Sequence, residues 1–334
     1  MTFDRMARNW LPVAVWIAAL AAQIAAEAQS QPSWRPDKAV EIILPTAAGG
    51  INDQVARVMQ KILQDEKLVS VPVVPINKAG GNQVLAIAYL NQRAADPHYL
   101  LYSTPTPFTN ELAGITTQRY TDLAPIALLF VEHTVITVRN DSPIKNMRDL
   151  VDRLKADPES IAFGLGARGG VNHLALSQAV KFAGIDPRKL KAVIFKTNAE
   201  SMMAMLGGHV QVVGSSVSAA HAQVQAGNLR ILAIAAPQRM TGAMASVPTL
   251  REQGIDVNGV SNWRALFGAK GLAPAHVAFW EDALARTVVT NEWKKLVEEH
   301  NLTPKFLQSR DCATYLAGEY AATKAVMTDL GLIR

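Results

Sequence analysis

The stretch AVEIILPTAAGGINDQVARVMQKIL, Ala39 to Leu63, decides the fold. It opens on six residues of strand character, Ala39 to Leu44. A turn containing Gly49 and Gly50 follows. Val55, Val58, Met59, Ile62 and Leu63 then recur at helical spacing, so the stretch reads as strand, loop and helix. The unit repeats. Val71 to Ile76 is a strand, Asn77 to Gly81 a turn, and Val84, Ile87 and Leu90 mark a helix, with Tyr99 to Ser103 as a third strand. Strands alternating with helices imply a parallel sheet in an α/β domain.

The pattern restarts downstream. Ile126 to Val138 is apolar and β-branched, broken only by Glu132 and His133, and reads as a crossing between two domains. Helices are expected over Met147–Leu154, Val171–Ala183, Ser201–Leu206 and Ala219–Ala226. Strands are expected over Ile161–Gly164, Ala192–Phe195, Val210–Val213 and Leu229–Ala235, the last able to cross back. The remainder reads as mostly helical. The expectation is two α/β lobes joined by two crossing strands: 29–127 with 238–334, and 128–237.

Composition bounds the function. Of 334 residues, 49% are hydrophobic and 18% charged, a globular balance. The net charge of +5 is dispersed, with no Lys/Arg run interleaved with aromatics, so nucleic acid is not indicated. Cys312 is the single cysteine and excludes an intramolecular disulfide. Arg5 and Arg8 precede an apolar run from Leu11 to Ala22, and Ala26-Glu27-Ala28 is an A-x-A cleavage pattern. These mark a signal peptide over 1–28, cleaved after Ala28, and an exported protein.

Two loops carry chemistry. In the first, Gly49 and Gly50 allow close approach of a ligand, and Asn52 or Asp53 can cap the helix behind them. Free N–H groups at a helix N-terminus bind an anion without a charged side chain. Asp53 and Arg57 are spaced to pair on one helix face. The second loop, Gly164-Leu-Gly-Ala-Arg-Gly-Gly-Val-Asn-His173, also joins a strand to a helix. Arg168 offers a charged fork, and a neutral His173 suits the positive end of the helix. Gly164, Gly166 and Gly169 also spell G-x-G-x-x-G. A dinucleotide site is disfavoured, because the next strand ends at Phe195 and is followed by Lys196, where an acidic ribose ligand is expected. No G-x-S-x-G, P-loop or H-E-x-x-H motif occurs, and the seven histidines lack ligand spacing. Neither a catalytic set nor a metal or cofactor is expected. Trp263-Arg264 is a further candidate contact.

Six motifs in order resemble the receptors of tripartite tricarboxylate transporters, the Bordetella uptake gene family. They are Pro45-x-x-Ala-Gly-Gly-x-x-Asp53-x-x-Ala-Arg57, Asn77-x-x-Gly-Gly81, Gly166-x-x-Gly-Gly-x-x-His173-Leu-Ala, Leu206-Gly-Gly-His-Val210, Ala226-Gly-x-Leu-Arg230 and Val247-Pro-Thr249. The resemblance implies a two-lobed, type II-like periplasmic "Venus flytrap". It implies ligand contact at Thr46, Ala48, Gly49, Gly50, Ile51, Asn52 and Asp53, and at Arg168, Gly169, Gly170, Val171, Asn172 and His173. Thr104, Ser215, Ser216 and Arg264 are expected to face the cleft. Serines where some relatives carry Asp-Asn argue against an amino-acid ligand. Ile51, Val171 and Asn172 depart from the family pattern. The expected ligand is a small di- or tricarboxylate, with an apolar or aromatic body compatible. The expected partners are the membrane subunits of such a transporter. An exported enzyme with an unrecognised site, or a ligand-sensing version of the fold docked on a signalling receptor, is the alternative.

Overall fold

The computed structural model describes residues 34–333 other than 167, 196, 258 and 259. The expected signal peptide and its cleavage site lie outside the described residues. No helix among those described is long and apolar enough to cross a membrane.

The opening stretch forms β1 (Val40–Leu44) and α1 (Ile51–Asp65), then β2 (Val73–Asn77). Val40, Ile42 and Leu44 face Val55, Met59 and Ile62 of α1, while Ile43 faces the opposite core with Ile87 and Phe108. Burial on both faces makes β1 a nearly continuous apolar run, as in a sheet covered on both sides. α2 (Val84–Asn91), β3 (Tyr99–Ser103), α3 (Thr106–Leu112) and β4 (Leu123–Glu132) follow.

After His133 the chain builds a second sheet. It contains β5 (Thr134–Arg139), β6 (Ala162–Leu165), β7 (Lys191–Ile194), β8 (Val212–Ser216) and β9 (Leu229–Ala235). Its helices are α4 (Met147–Ala156), α5 (Val171–Phe182), α6 (Asn198–Leu206) and α7 (Val217–Gln225). The chain then returns to the first sheet through β10 (Asn262–Ala269) and β11 (Thr303–Gln308), with α8 (Pro274–Val288), α9 (Asn291–Glu299) and α10 (Ser309–Asp329) packed around it.

The first sheet has the order β11-β4-β10-β3-β1-β2 and the second β7-β6-β8-β5-β9. β1 and β3 are parallel, and β10 is antiparallel to both β3 and β4. The C-terminal ends of β1, β3 and β4 therefore share one edge with the N-terminal end of β10. In the second sheet β6 and β8 are parallel, and β5 is antiparallel to β8. The C-terminal ends of β6 and β8 thus share an edge with the start of β5. Since β4 and β5 are separated only by His133, these two edges meet at the crossing.

The C-terminal region departs from the mostly helical expectation, because it supplies two strands. β10 is buried at all eight positions, and beyond Arg264 it has no polar alternation to betray it. β11 holds Pro304, which an edge strand tolerates because one side of its ladder is unpaired. α3 was also unexpected, since Pro105 and Pro107 obscure it; proline at a helix start lacks only an N–H that would go unused. Val326, Met327 and Leu330, from the end of α10 onward, join Leu112 of α3 and Leu174 of α5 in one apolar cluster. The last helix therefore touches elements of both sheets.

Trp280 of α8 is 0% exposed, and its indole donates to the Pro97 carbonyl at 2.9 Å. Trp280→Ala should cost about 3–5 kcal/mol through the cavity it leaves. Trp280→Phe should cost less, about 1–3 kcal/mol, chiefly for the carbonyl left without its donor. Urea unfolding of the two variants measures both values. A loss near zero for Trp280→Phe would show that the hydrogen bond contributes nothing.

Candidate functional site

Two helix N-termini at the facing edges are built alike. α1 starts after Gly49-Gly50, and α5 after Gly169-Gly170. Gly49 has φ +88° and Gly169 φ +74°, a left-handed conformation in which a side chain would be strained. Gly50 and Gly170 are the N-caps, both extended, and neither helix has a side-chain cap. The first intrahelical bonds are Gln54 N–H to the Gly50 carbonyl and Leu174 N–H to the Gly170 carbonyl. The amides of Ile51, Asn52 and Asp53, and of Val171, Asn172 and His173, precede those bonds. They are the free donors of a helix start.

Each loop is braced by the fifth residue of its run. Asp53 accepts the Gly49 N–H at 3.1 Å, and His173 Nδ1 accepts the Gly169 N–H at 2.9 Å. Asp53 is 4% exposed. It is also bound by Arg57 at 2.9 and 3.2 Å, and by Asn77 at 3.2 Å. The Arg57 bonds foremost, then the Gly49 amide and Asn77, hold its carboxyl at about 2 despite burial. Asn77 also donates to the Thr46 carbonyl at 3.0 Å, so the turn after β2 pins the first loop. Burial, and then the charge of Arg168, lower His173 to about 4. His173 is therefore neutral, as its acceptor role requires.

The segment where the chain changes sheets connects these loops. Glu132 is 2% exposed and pairs with Arg264 Nη2 at 3.0 Å. It also accepts from Ser218 of α7 and, at 3.3 Å, from Asn262. Arg264 Nε donates to Asn52 Oδ1 at 3.1 Å. Thr134 donates to Asn172 Oδ1 at 2.9 Å. The N-termini of α1, α5 and α7 are thus each bonded to Glu132 or Thr134, directly or through Arg264. Arg264, expected to face the cleft, is 6% exposed and already committed to Glu132, Asn52 and Asn262.

The remaining expected residues lie at the same edges. Thr104 follows β3, its hydroxyl 3.0 Å from that of Thr106. Ser216 caps α7, accepting from the Ala219 amide. The Ser215 hydroxyl is buried without a hydrogen-bond partner, as is the Thr46 hydroxyl. Arg168 is exposed, with no ion pair among the described residues. Ala48 is exposed beside Gly49, while Ile51 and Val171 are half-buried.

Further residues join this edge without having been expected there. Asn82 and Gln83 hold left-handed backbones, φ 49° and 73°. Ser103 donates to Gln83 at 2.9 Å, and Asn110 to the Asn82 carbonyl at 2.6 Å, which fixes that turn. A cavity of about 450 Å³ lies between Asn82, Thr106 and Asn110 on one side and Arg168, Gly169 and Gly170 on the other. The Gly80-Gly81-Asn82 run was the available signal. Non-glycine residues held at positive φ mark positions that the surroundings over-determine.

One family model matches most of the chain, and solved structures share its fold. A family model described as the tripartite tricarboxylate transporter family receptor matches residues 55–332. A UPF0065 protein of the gbd 5' region in Cupriavidus necator is 28% identical over 311 residues, 92% of each chain. A TctC solute-binding protein from Polaromonas has a TM-score of 0.73 at 25% identity, over 88% of this chain and 99% of that one. An R. palustris protein solved with adipate has a TM-score of 0.79 at 21% identity, over 89% and 98%.

A pH dependence follows from His173. Its lowered proton affinity means that the unfolded chain takes up a proton between pH 6.5 and about 4, while the folded chain resists. Stability should fall across that window by on the order of 3 kcal/mol. His173→Asn keeps an acceptor for Gly169 without titrating and should flatten the fall of Tm with pH. The lowered His133 keeps a share of it. An unchanged slope in the variant would remove His173 as the cause.

Proposed function

Because the chain belongs to the tripartite tricarboxylate transporter receptor family, whose members are periplasmic solute-binding proteins, we propose that it captures a small di- or tricarboxylate between its two sheets and delivers it to the membrane subunits of such a transporter. One observation carries this reading: two uncapped helix N-termini, α1 and α5, each behind a Gly-Gly turn and each tied to the crossing segment. Uncapped amides and the helix dipole favour an anion and require no counter-charge.

In this reading each lobe surrounds one sheet; the division expected at 127/128 moves to His133, because β4 stays in the first sheet through Glu132, and the one expected at 237/238 lies close after Ala235. The ligand bridges the first loop, Thr46 to Asp53, and the second, Arg168 to His173, with Thr104, Ser215 and Ser216 at the rim. Asp53 acts through the loop, since its oxygens already serve Gly49, Arg57 and Asn77. Arg168 adds a charge, being exposed and without an ion pair among the described residues. Closure follows from binding when the anion contacts both lobes more favourably in the closed form. The adipate held by the R. palustris neighbour, which shares the fold, makes a linear dicarboxylate a reasonable first ligand to test.

A thermal-shift panel tests the reading on the mature chain from residue 29. It comprises linear dicarboxylates, citrate-like tricarboxylates, aromatic carboxylates, monocarboxylates, sulfonates and amino acids. Ligand at about 100 times its Kd should add about 2.7 kcal/mol. Tm should then rise by several degrees for one di- or tricarboxylate class. Arg168→Ala should weaken that ligand about tenfold or more, as expected for a charge-assisted bond. Binding restricted to amino acids or monocarboxylates would refute the ligand class.

A further inference from the structure

The two ligand loops share more than their helix starts. Gly49-Gly50-Ile51-Asn52 and Gly169-Gly170-Val171-Asn172 match residue for residue in type. Asn52 and Asn172 are each the second residue of their helix, and both are half-buried. Each has its amide oxygen occupied, Asn52 by Arg264 Nε and Asn172 by the Thr134 hydroxyl. Neither Nδ2 has a partner among the described residues. We propose that Asn52 and Asn172 are a matched pair of ligand donors, one per lobe, whose amide orientation is set by Arg264 and Thr134, and that together they select linear ligands carrying a carboxylate at each end.

This inference rests on the receptor reading and narrows it. A guanidinium has no acceptor, so Arg264 fixes which end of the Asn52 amide faces it. The reversed amide would set N–H against N–H. Arg264 cannot turn to the ligand instead, because Glu132 and Asn262 hold it at 3.0 and 2.7 Å. It is a positioning residue, and Thr134 is its counterpart at the start of β5. What remains at each loop is the same donor set: a row of free helix amides and one primary amide. Two like donor sets suit two like anionic ends. An ammonium or a methyl end offers nothing to accept, and leaves desolvated donors unpaired. The Ser215 hydroxyl, 0% exposed and without a partner, adds a polar group beside the second loop. It follows Gly214, where a Cβ would come within 3.2 Å of the Asn172 carbonyl oxygen.

Isothermal titration with succinate, glutarate, adipate and pimelate, each against the monocarboxylate of equal chain length, tests the pairing. The wild type should prefer one dicarboxylate over its monocarboxylate by about tenfold or more, the scale of one hydrogen bond to a charged group. Asn52→Asp and Asn172→Asp keep the shape and put an acceptor in place of each donor. Each should abolish that preference, with apo Tm reporting that the variant is folded. Thr134→Val should weaken the dicarboxylate about three- to tenfold, and Thr134→Ser should restore it, a rescue that a packing role would not give. The inference is overturned if no dicarboxylate is preferred, if either Asp variant binds as well as the wild type, or if Thr134→Ser is as weak as Thr134→Val. The receptor reading itself falls only if the tricarboxylates, aromatic carboxylates, monocarboxylates, sulfonates and amino acids of the wider panel fail as well.

Discussion

The ion pair between Glu132 and Arg264, 3.0 Å long and almost wholly buried, is the constraint on which the rest of the site depends. Burying two charges is costly, and such a pair is tolerated only when its remaining donors and acceptors are satisfied. Here they are. Glu132 accepts from Ser218, Asn262 and Arg264, and Arg264 donates also to Asn52 and to two backbone carbonyls. The cost of breaking any one contact is therefore high, and the geometry is stiff. That stiffness sits one residue from the point where the chain changes sheets. It fixes the start of α7 and the start of α1 relative to one strand end, while Thr134 fixes α5 on the other side of His133.

A site framed in this way would recognise an anion with few charges of its own. The acidic Asp53 is consumed by its own loop, and His173 is neutral. Arg264 is neutralised by Glu132. Amides at two helix starts, two asparagine side chains and a single unpaired Arg168 remain. For a receptor that must release its ligand, this balance has a physical advantage. Amide donors are directional and worth little unless both lobes contribute at once, so affinity depends on closure. A cluster of lysines would hold an anion in the open form as well, and would thereby weaken the coupling between binding and closing.

The sequence made much of this legible, for reasons that can be assigned. β1 and α1 were readable because their apolar residues change period from strand to helix within one loop, and Gly49 and Gly169 stood out because only glycine suits their φ. The Asp53–Arg57 pair was visible in its spacing of four. β10 was not, since a central strand buried along its whole length looks like any apolar run. The partners of Arg264 were invisible for a different reason. Asn52 and Glu132 lie 212 and 132 positions away in sequence, and no local pattern encodes a contact made by the return of the chain to its first sheet. A tryptophan followed by an arginine suggested a hand for the ligand; the fold bonds that arginine to Glu132, Asn52 and Asn262.

The likeness of the two loops has a consequence for how ligand choice can change. In the receptor reading, their shared parts, the Gly-Gly turns and the uncapped helix starts, would provide generic anion affinity that any small carboxylate could exploit. What differs between them lies one layer back: Asp53 against His173, Arg264 against Thr134. These residues determine how each loop is held and which way each asparagine faces, and they do so through bonds that do not involve the ligand. Arg264 can only donate, so it imposes one orientation on Asn52; Thr134 donates to Asn172 Oδ1 through a rotatable hydroxyl and holds that orientation more weakly. The first loop is therefore the rigid reference and the second the adaptable one. Substitution behind the second loop, at Thr134 rather than at Asn172, is the route by which this architecture would shift from one carboxylate to another while keeping its anion site intact.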